Sequence, residues 1–173
     1  CNMERFAVKR GLVKQVTADG GLSKLAQDFF DSVTPTGDNS FTGSHGIMSS
    51  INAHYDGDAL ITDVVNERPN FDDREAMKAA QDDRRRFTTF LDAATGYNSK
   101  QRGDKAKEWV KKASKAKSAI SGARHFMSMA KAMSDEKREK AEALITEIEA
   151  ALEAGDNTKA AGRGEKLSKM LNE

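Results

Sequence analysis

The sequence is poor in the residues that interrupt, brace or anchor a chain. Only two prolines, Pro35 and Pro69, occur in 173 residues, so long segments are free of the residue that removes a helical hydrogen bond. The one cysteine is residue 1, which excludes an intrachain disulfide and fits a reducing compartment. Aromatic residues are 6% of the chain, with a single Trp, against 38% hydrophobic and 32% charged residues. A core must therefore come mainly from Ala, Leu, Ile, Val and Met, which suggests thin helical layers. No segment approaches the roughly 18 uninterrupted apolar residues of a membrane span.

The chemistry-bearing motifs are also missing. His45, His54 and His125 lie in different segments, with no Cys or carboxylate at a zinc or di-iron spacing. Asp56, Asp58 and Glu67 occupy the first, third and twelfth places of an EF-hand loop, but Ile61 stands where its turn requires Gly, and calcium binding is rejected. Gly43-Ser44-His45-Gly46 matches neither a nucleophile elbow nor a phosphate loop. Its amides offer an anion site only if a helix starts near Ser44. No enzyme, metal or cofactor is implied.

What is present is helix-favouring Ala, Lys and Glu, with the charges sorted along the chain. Nine acidic and three basic residues lie between Asp56 and Asp83, nine basic and two acidic between Lys100 and Arg124, and seven acidic and three basic between Asp135 and Glu153. Blocks of this kind neutralise one another when helices fold back, or leave one basic face open to an acidic partner.

The longest periodic run is residues 104–133. Trp109, Ala113, Ala116, Ile120, Ala123, Met127 and Ala130 recur at steps of four and three, the mark of one helical stripe. Asp104 after Gly103 is the expected N-cap, giving a helix of about 30 residues, roughly 45 Å long. Its alanines, with Gly122 beside them, favour close helix approach, and Trp109 is expected in the core. At about 100° per residue Lys107, Lys111 and Lys115 point away from the stripe, while Lys112 and Lys117 flank it. Lys100 and Arg102 extend the basic end, and Tyr97 is the nearest stacking candidate. Lys111, Lys115 and Lys117 have no acidic partner four residues away, as expected of a ridge that meets phosphates.

Elsewhere the spacing predicts helices over 3–17, 22–33, 47–55 and 58–65, although the β-branched cluster in the last also permits a strand. The segment 34–46 reads as a loop. A helix over 72–94 opens on Asp72 and Glu75, spaced as in a capping box, and stops before Gly96. Its stripe is interrupted at Asp83 and Arg84, read as a solvated middle. Ser134 caps a helix over 135–154, and Gly155-Asp156-Asn157 turns the chain into a last helix over 158–171.

These readings predict an all-α protein: an N-terminal helical subdomain over 1–69 with a Gly/Ser-rich loop at 34–46, then a bundle of long antiparallel helices over 70–173. The bundle holds the basic helix 104–133 and a hairpin over 135–171. The expected function is non-catalytic binding, with an accessory subunit contacting nucleic-acid backbone through Lys100, Arg102, Lys107, Lys111, Lys112, Lys115, Lys117 and Tyr97. The alternative is an assembly, adaptor or structural protein of a microbial or viral particle, docking on protein partners or on copies of itself through complementary charge blocks. A cytoplasmic location is expected. A fragment, or a start at Met3 behind two extraneous residues, is the preferred account of Cys1-Asn2, ahead of proteolytic maturation and of a lipidated mature Cys1, which would instead mean a periplasmic or membrane-anchored protein.

Overall fold

The computed structural model describes residues 3–173, so the readings of Cys1 fall outside the described residues. It has 58% helix and 20% strand, a mixed α/β fold that corrects the all-α expectation. Two compact units divide at Lys105, Cys1–Lys105 and Ala106–Glu173, inside the basic helix rather than at residue 69.

The first unit contains β1 (Met3–Ala7), α1 (Leu12–Ala18), α2 (Leu22–Gln27), β2 (Ser32–Gly37), β3 (Ser40–His45), β4 (Met48–Asp56), β5 (Ala59–Asn66), α3 (Arg74–Thr95) and the start of α4 (Ser99–Met129). Its sheet is antiparallel throughout, in the order β1-β5-β4-β3-β2. The segment read as an N-terminal helical subdomain is thus mostly sheet. The physical reason lies in side-chain period. On β4, Ile51 and Ala53 are buried while Ser49, Asn52 and His54 are exposed, an alternation of two that no helix uses. The expected loop 34–46 instead forms most of the β2–β3 hairpin. Its outward positions are hydroxyl residues, with Ser32 opposite Ser44 and Thr34 opposite Thr42, so its polarity describes one face of a strand. β2 lies at the sheet edge and carries Pro35, with a register shift between Pro35 and Gly37.

One row of the inner face runs Phe41, Ala53, Thr62 and Glu4 across β3, β4, β5 and β1. Against the inner face pack Phe30 and, from α3, Phe90 and Leu91. Phe90 lies 5.0 Å from Phe30, 5.7 Å edge-on from Phe41 and 5.8 Å from Phe29 between ring centroids. Such pairs add to the large apolar area each ring buries. Tyr55 donates its hydroxyl to the Ala94 carbonyl at 2.6 Å, and burial holds its phenol above the ordinary range.

α3 is capped by Asp73, whose carboxylate accepts from the amides of Glu75 and Ala76, and ends at Gly96. α4 begins five residues before the expected cap and passes through Gly103.

The second unit comprises the rest of α4, α5 (Asp135–Glu153) and α6 (Asn157–Leu171). Ser134 caps α5 through the Lys137 amide, and Asp156 caps α6 through Lys159. Ala116, Ala123 and Met127 of α4 join Ala141, Ile145, Ile148, Ala160 and Leu167 in one buried cluster. Trp109 is only partly buried, and Phe126 is 41% exposed. The close approach comes from Gly164 on α6, where a β-carbon would lie 3.0 Å from the Ala119 β-carbon, while one at Gly122 would meet nothing within 4 Å. Among the described residues no helix is long and apolar enough to cross a membrane.

Candidate functional site

Helix geometry sets the lysines of the second unit. Lys107, Lys111 and Lys115 follow at four-residue steps, so their side chains lie one above another along about 12 Å of helix. All three are exposed. Lys107 and Lys111 make no hydrogen bond or ion pair among the described residues, and Lys115 lies 3.8 Å from Glu165, both side chains being about 70% exposed. A pair so open to water holds its lysine weakly. Lys117 is exposed on the other flank, and Lys112, partly buried, donates to Thr158 Oγ1 at 3.2 Å.

The acidic block of α5 is answered within this unit. Arg124 reaches Glu149 at 3.3 Å and Glu142 at 3.9 Å, and Arg163 reaches Glu147 at 3.4 Å.

The other three basic or stacking candidates belong to the first unit. Lys100 is exposed, and Tyr97 is partly buried with Lys105 Nζ 5.6 Å from its ring centre. Arg102 is only 7% exposed and donates to the Asp92 carboxylate, the Tyr97 carbonyl and the Ser99 hydroxyl. It ties the end of α3 to the start of α4. Its sequence signal was a charge at a helix start; what the spacing does not display is that Asp92, ten residues earlier, lies across the intervening turn.

The interruption of the α3 stripe at Asp83 has a partner, contrary to the solvated reading. Asp83 Oδ2 accepts from the Ile47 amide at 3.0 Å, and Oδ1 lies 3.5 Å from His45 Nε2. Gly46, with φ +53°, leaves the room this carboxylate occupies; a β-carbon there would overlap it. His45 Nδ1 accepts from the Asp31 amide at 3.2 Å. With both ring nitrogens engaged, this His–Asp pair fixes the β3–β4 turn to α3 rather than presenting a free base. Ser44 sits on a strand, so the anion site expected at a helix start there does not form.

Asp56 and Glu67 flank β5, whose eight residues separate them by roughly 26 Å. This is incompatible with one ion loop. Among the described residues no group of three or more His, Cys, Asp or Glu stands close enough to hold a metal.

The first unit also has an open cleft of about 470 Å³, between the β1–β5–β4 side of the sheet and α3. Met48, Val64 and Phe87 contribute apolar surface, and Glu4, Thr62, Arg84 and Thr88 line it with polar groups. Sequence reasoning missed this site because its residues come from four separated elements. The available clue was Glu4 in alternation with Phe6, which puts a carboxylate on the inner face of an edge strand.

One family profile matches residues 3–108, which is 106 of the 173 residues, and is described as Domain of unknown function (DUF5611). The chain belongs to the DUF5611 family. The DUF5611 segment takes in the whole sheet, α3 and the cleft, and it ends one residue after Lys107. Searches of curated proteins and of solved structures return no match.

Proposed function

We propose that the protein is a non-catalytic accessory subunit that lays the lysine face of its helical unit along a nucleic-acid backbone. The observation that carries this reading is the line Lys107, Lys111 and Lys115, exposed and barely neutralised within the chain. Ammonium groups in such a line replace counterions along a polyanion, and release of those ions drives association. No aromatic residue interleaves them on that face, which favours contact with phosphates over reading of bases.

The test changes Lys107, Lys111, Lys115 and Lys117 together to Gln. Binding to unrelated DNA and RNA sequences should weaken alike, and the slope of log affinity against log salt should shrink by about 0.9 for each phosphate of duplex DNA that is no longer neutralised. Thermal stability should stay within about 1 kcal/mol, because exposed charges contribute little. If the unaltered protein shifts no nucleic acid at low salt, the proposal fails.

The second reading, an adaptor that docks on protein, draws on Val110, Phe126 and Met129 of α4, which are 70%, 41% and 69% exposed. Apolar side chains so placed suit a protein partner. Its charge-block version is weakened because Glu142 and Glu149 already face Arg124. Self-association that survives the four Gln substitutions, with no nucleic-acid binding by either protein, would favour this reading.

A further inference from the structure

We propose that the sheet unit holds a small-molecule site, independent of the lysine face. The cleft between β1, β5, β4 and α3 takes an amphipathic ligand with an apolar body, an acidic group for Arg84 and a hydrogen-bond donor for Glu4.

Size is the first argument. About 470 Å³ falls in the range of pockets that enclose small organic ligands. Met48 and Val64 are 2% and 8% exposed, so with Phe87 they give the cleft a fixed apolar surface. That surface suits an apolar part of the ligand, beside the polar lining from Glu4, Thr62, Asn66, Arg84 and Thr88.

The polar groups set the rest of its chemistry. Glu4 points inward because it pairs with Thr62 across the β1–β5 ladder. Arg84 and Thr88, one helical turn apart, line the α3 wall. Both charged residues line one cleft, yet neither Glu4 nor Arg84 has a hydrogen bond or ion pair among the described residues. Both side chains are exposed at the open cleft, so a purely apolar occupant would strip water from two charges and put nothing in its place. An occupant that gives a carboxylate, sulfonate or phosphate to the guanidinium and an N–H or O–H to Glu4 removes both penalties. Thr62 adds a hydroxyl in a residue only 2% exposed, with no side-chain hydrogen bond among the described residues. That hydroxyl suits a further polar atom deep in the cleft.

Location is the second argument. Every one of these residues lies within the DUF5611 segment, whereas Lys111 and Lys115 of the lysine line lie beyond it. The two sites therefore fail or succeed separately.

The probe is anilinonaphthalene sulfonate, which combines fused apolar rings, an anionic group and an N–H donor. Titrated into the full chain, it should show saturable fluorescence enhancement with one probe bound per chain. Arg84→Gln should weaken it by about ten-fold, and Arg84→Lys by less, because a lysine keeps the charge but loses the two-pronged geometry. Anilinonaphthalene lacking the sulfonate should bind about ten-fold more weakly to the unaltered protein and equally to both proteins after Arg84→Gln. Thr88→Trp should fill the cleft and abolish binding, with the far-UV circular dichroism spectrum and thermal midpoint of each variant showing that it is folded. The proposal is overturned if the unaltered protein gives no saturable binding, if Arg84→Gln binds equally well, or if folded Thr88→Trp retains the signal. The four-lysine Gln variant should bind the probe like the unaltered protein, which keeps this result apart from the nucleic-acid reading.

Discussion

The sheet unit and the helical unit fill their interiors with opposite materials. In the first, five of the eight phenylalanines, Phe29, Phe30, Phe41, Phe87 and Phe90, gather in one aromatic cluster. In the second, Ala116, Ala141 and Ala160 are fully buried beside Ile148 and Leu167, and no aromatic ring belongs to the buried cluster. A low aromatic total thus conceals a concentrated use of aromatics in one place. The difference also decides which kind of volume change each unit tolerates: a core built on rings is vulnerable to deletion, and one built on close backbones is vulnerable to addition.

The largest expected effect is from Phe90→Ala. Phe90 is a fully buried ring that meets Phe29, Phe30, Phe41 and Phe87. Its removal should cost about 3–5 kcal/mol in urea unfolding, with amides of β4 and β5 losing hydrogen-exchange protection first. Equal loss of protection in α5 would erase the distinction between the units. The opposite change, Gly164→Val, adds volume where α6 approaches Ala119 and Ala116 of α4, and overpacking should cost about 1–3 kcal/mol. A neutral result would show that these helices separate easily and that small residues are not what sets their distance. A smaller sharpening comes from Asp83→Ala, which leaves the Ile47 amide and His45 without their shared acceptor; about 1–2 kcal/mol is expected for this partly buried site. An unchanged midpoint would mean that the β3–β4 turn holds its conformation without α3.

Legibility in the sequence follows the same division. The end of α3 and the start of α5 were readable because capping is local, with Gly96 beyond the one and Ser134 before the other. The start of α3, by contrast, lies one residue later than read, capped by Asp73 rather than Asp72, and α6 starts at Asn157 behind an Asp156 cap. The sheet was hidden by coincidences of pattern. Met3, Phe6, Ala7, Val13 and Val16 fit a helical stripe although they belong to a strand and a short helix, and hydroxyl residues of β2 and β3 imitate a loop. The signal for strands was nonetheless present in the alternation from Ser50 to Tyr55, followed by the hairpin turn at Gly57-Asp58. Long-range facts were beyond reach. Asp83 and Arg102 appear in sequence as ordinary surface charges, and only folding brings Ile47 and Asp92 to them. Of the candidate residues, the exposure of Lys107, Lys111, Lys115 and Lys117 followed from helical angle alone, whereas the cleft joins Glu4 to Arg84 across 80 positions.

The edge strand β2 has a consequence for how copies of this sheet can meet. A proline presents no amide to a neighbour, and a local bulge twists the flanking backbone out of alignment, so Pro35 and the irregular register beside it make that border a poor template for another strand. The opposite border, β1, has neither a proline nor a register shift and is guarded only by the charges of Glu4 and Arg5. A pair of copies joined through β1 would carry the blunted β2 borders at both outer ends. A strand added at β2 would lack one backbone hydrogen bond at Pro35, a penalty that falls on every step of end-to-end growth of the sheet.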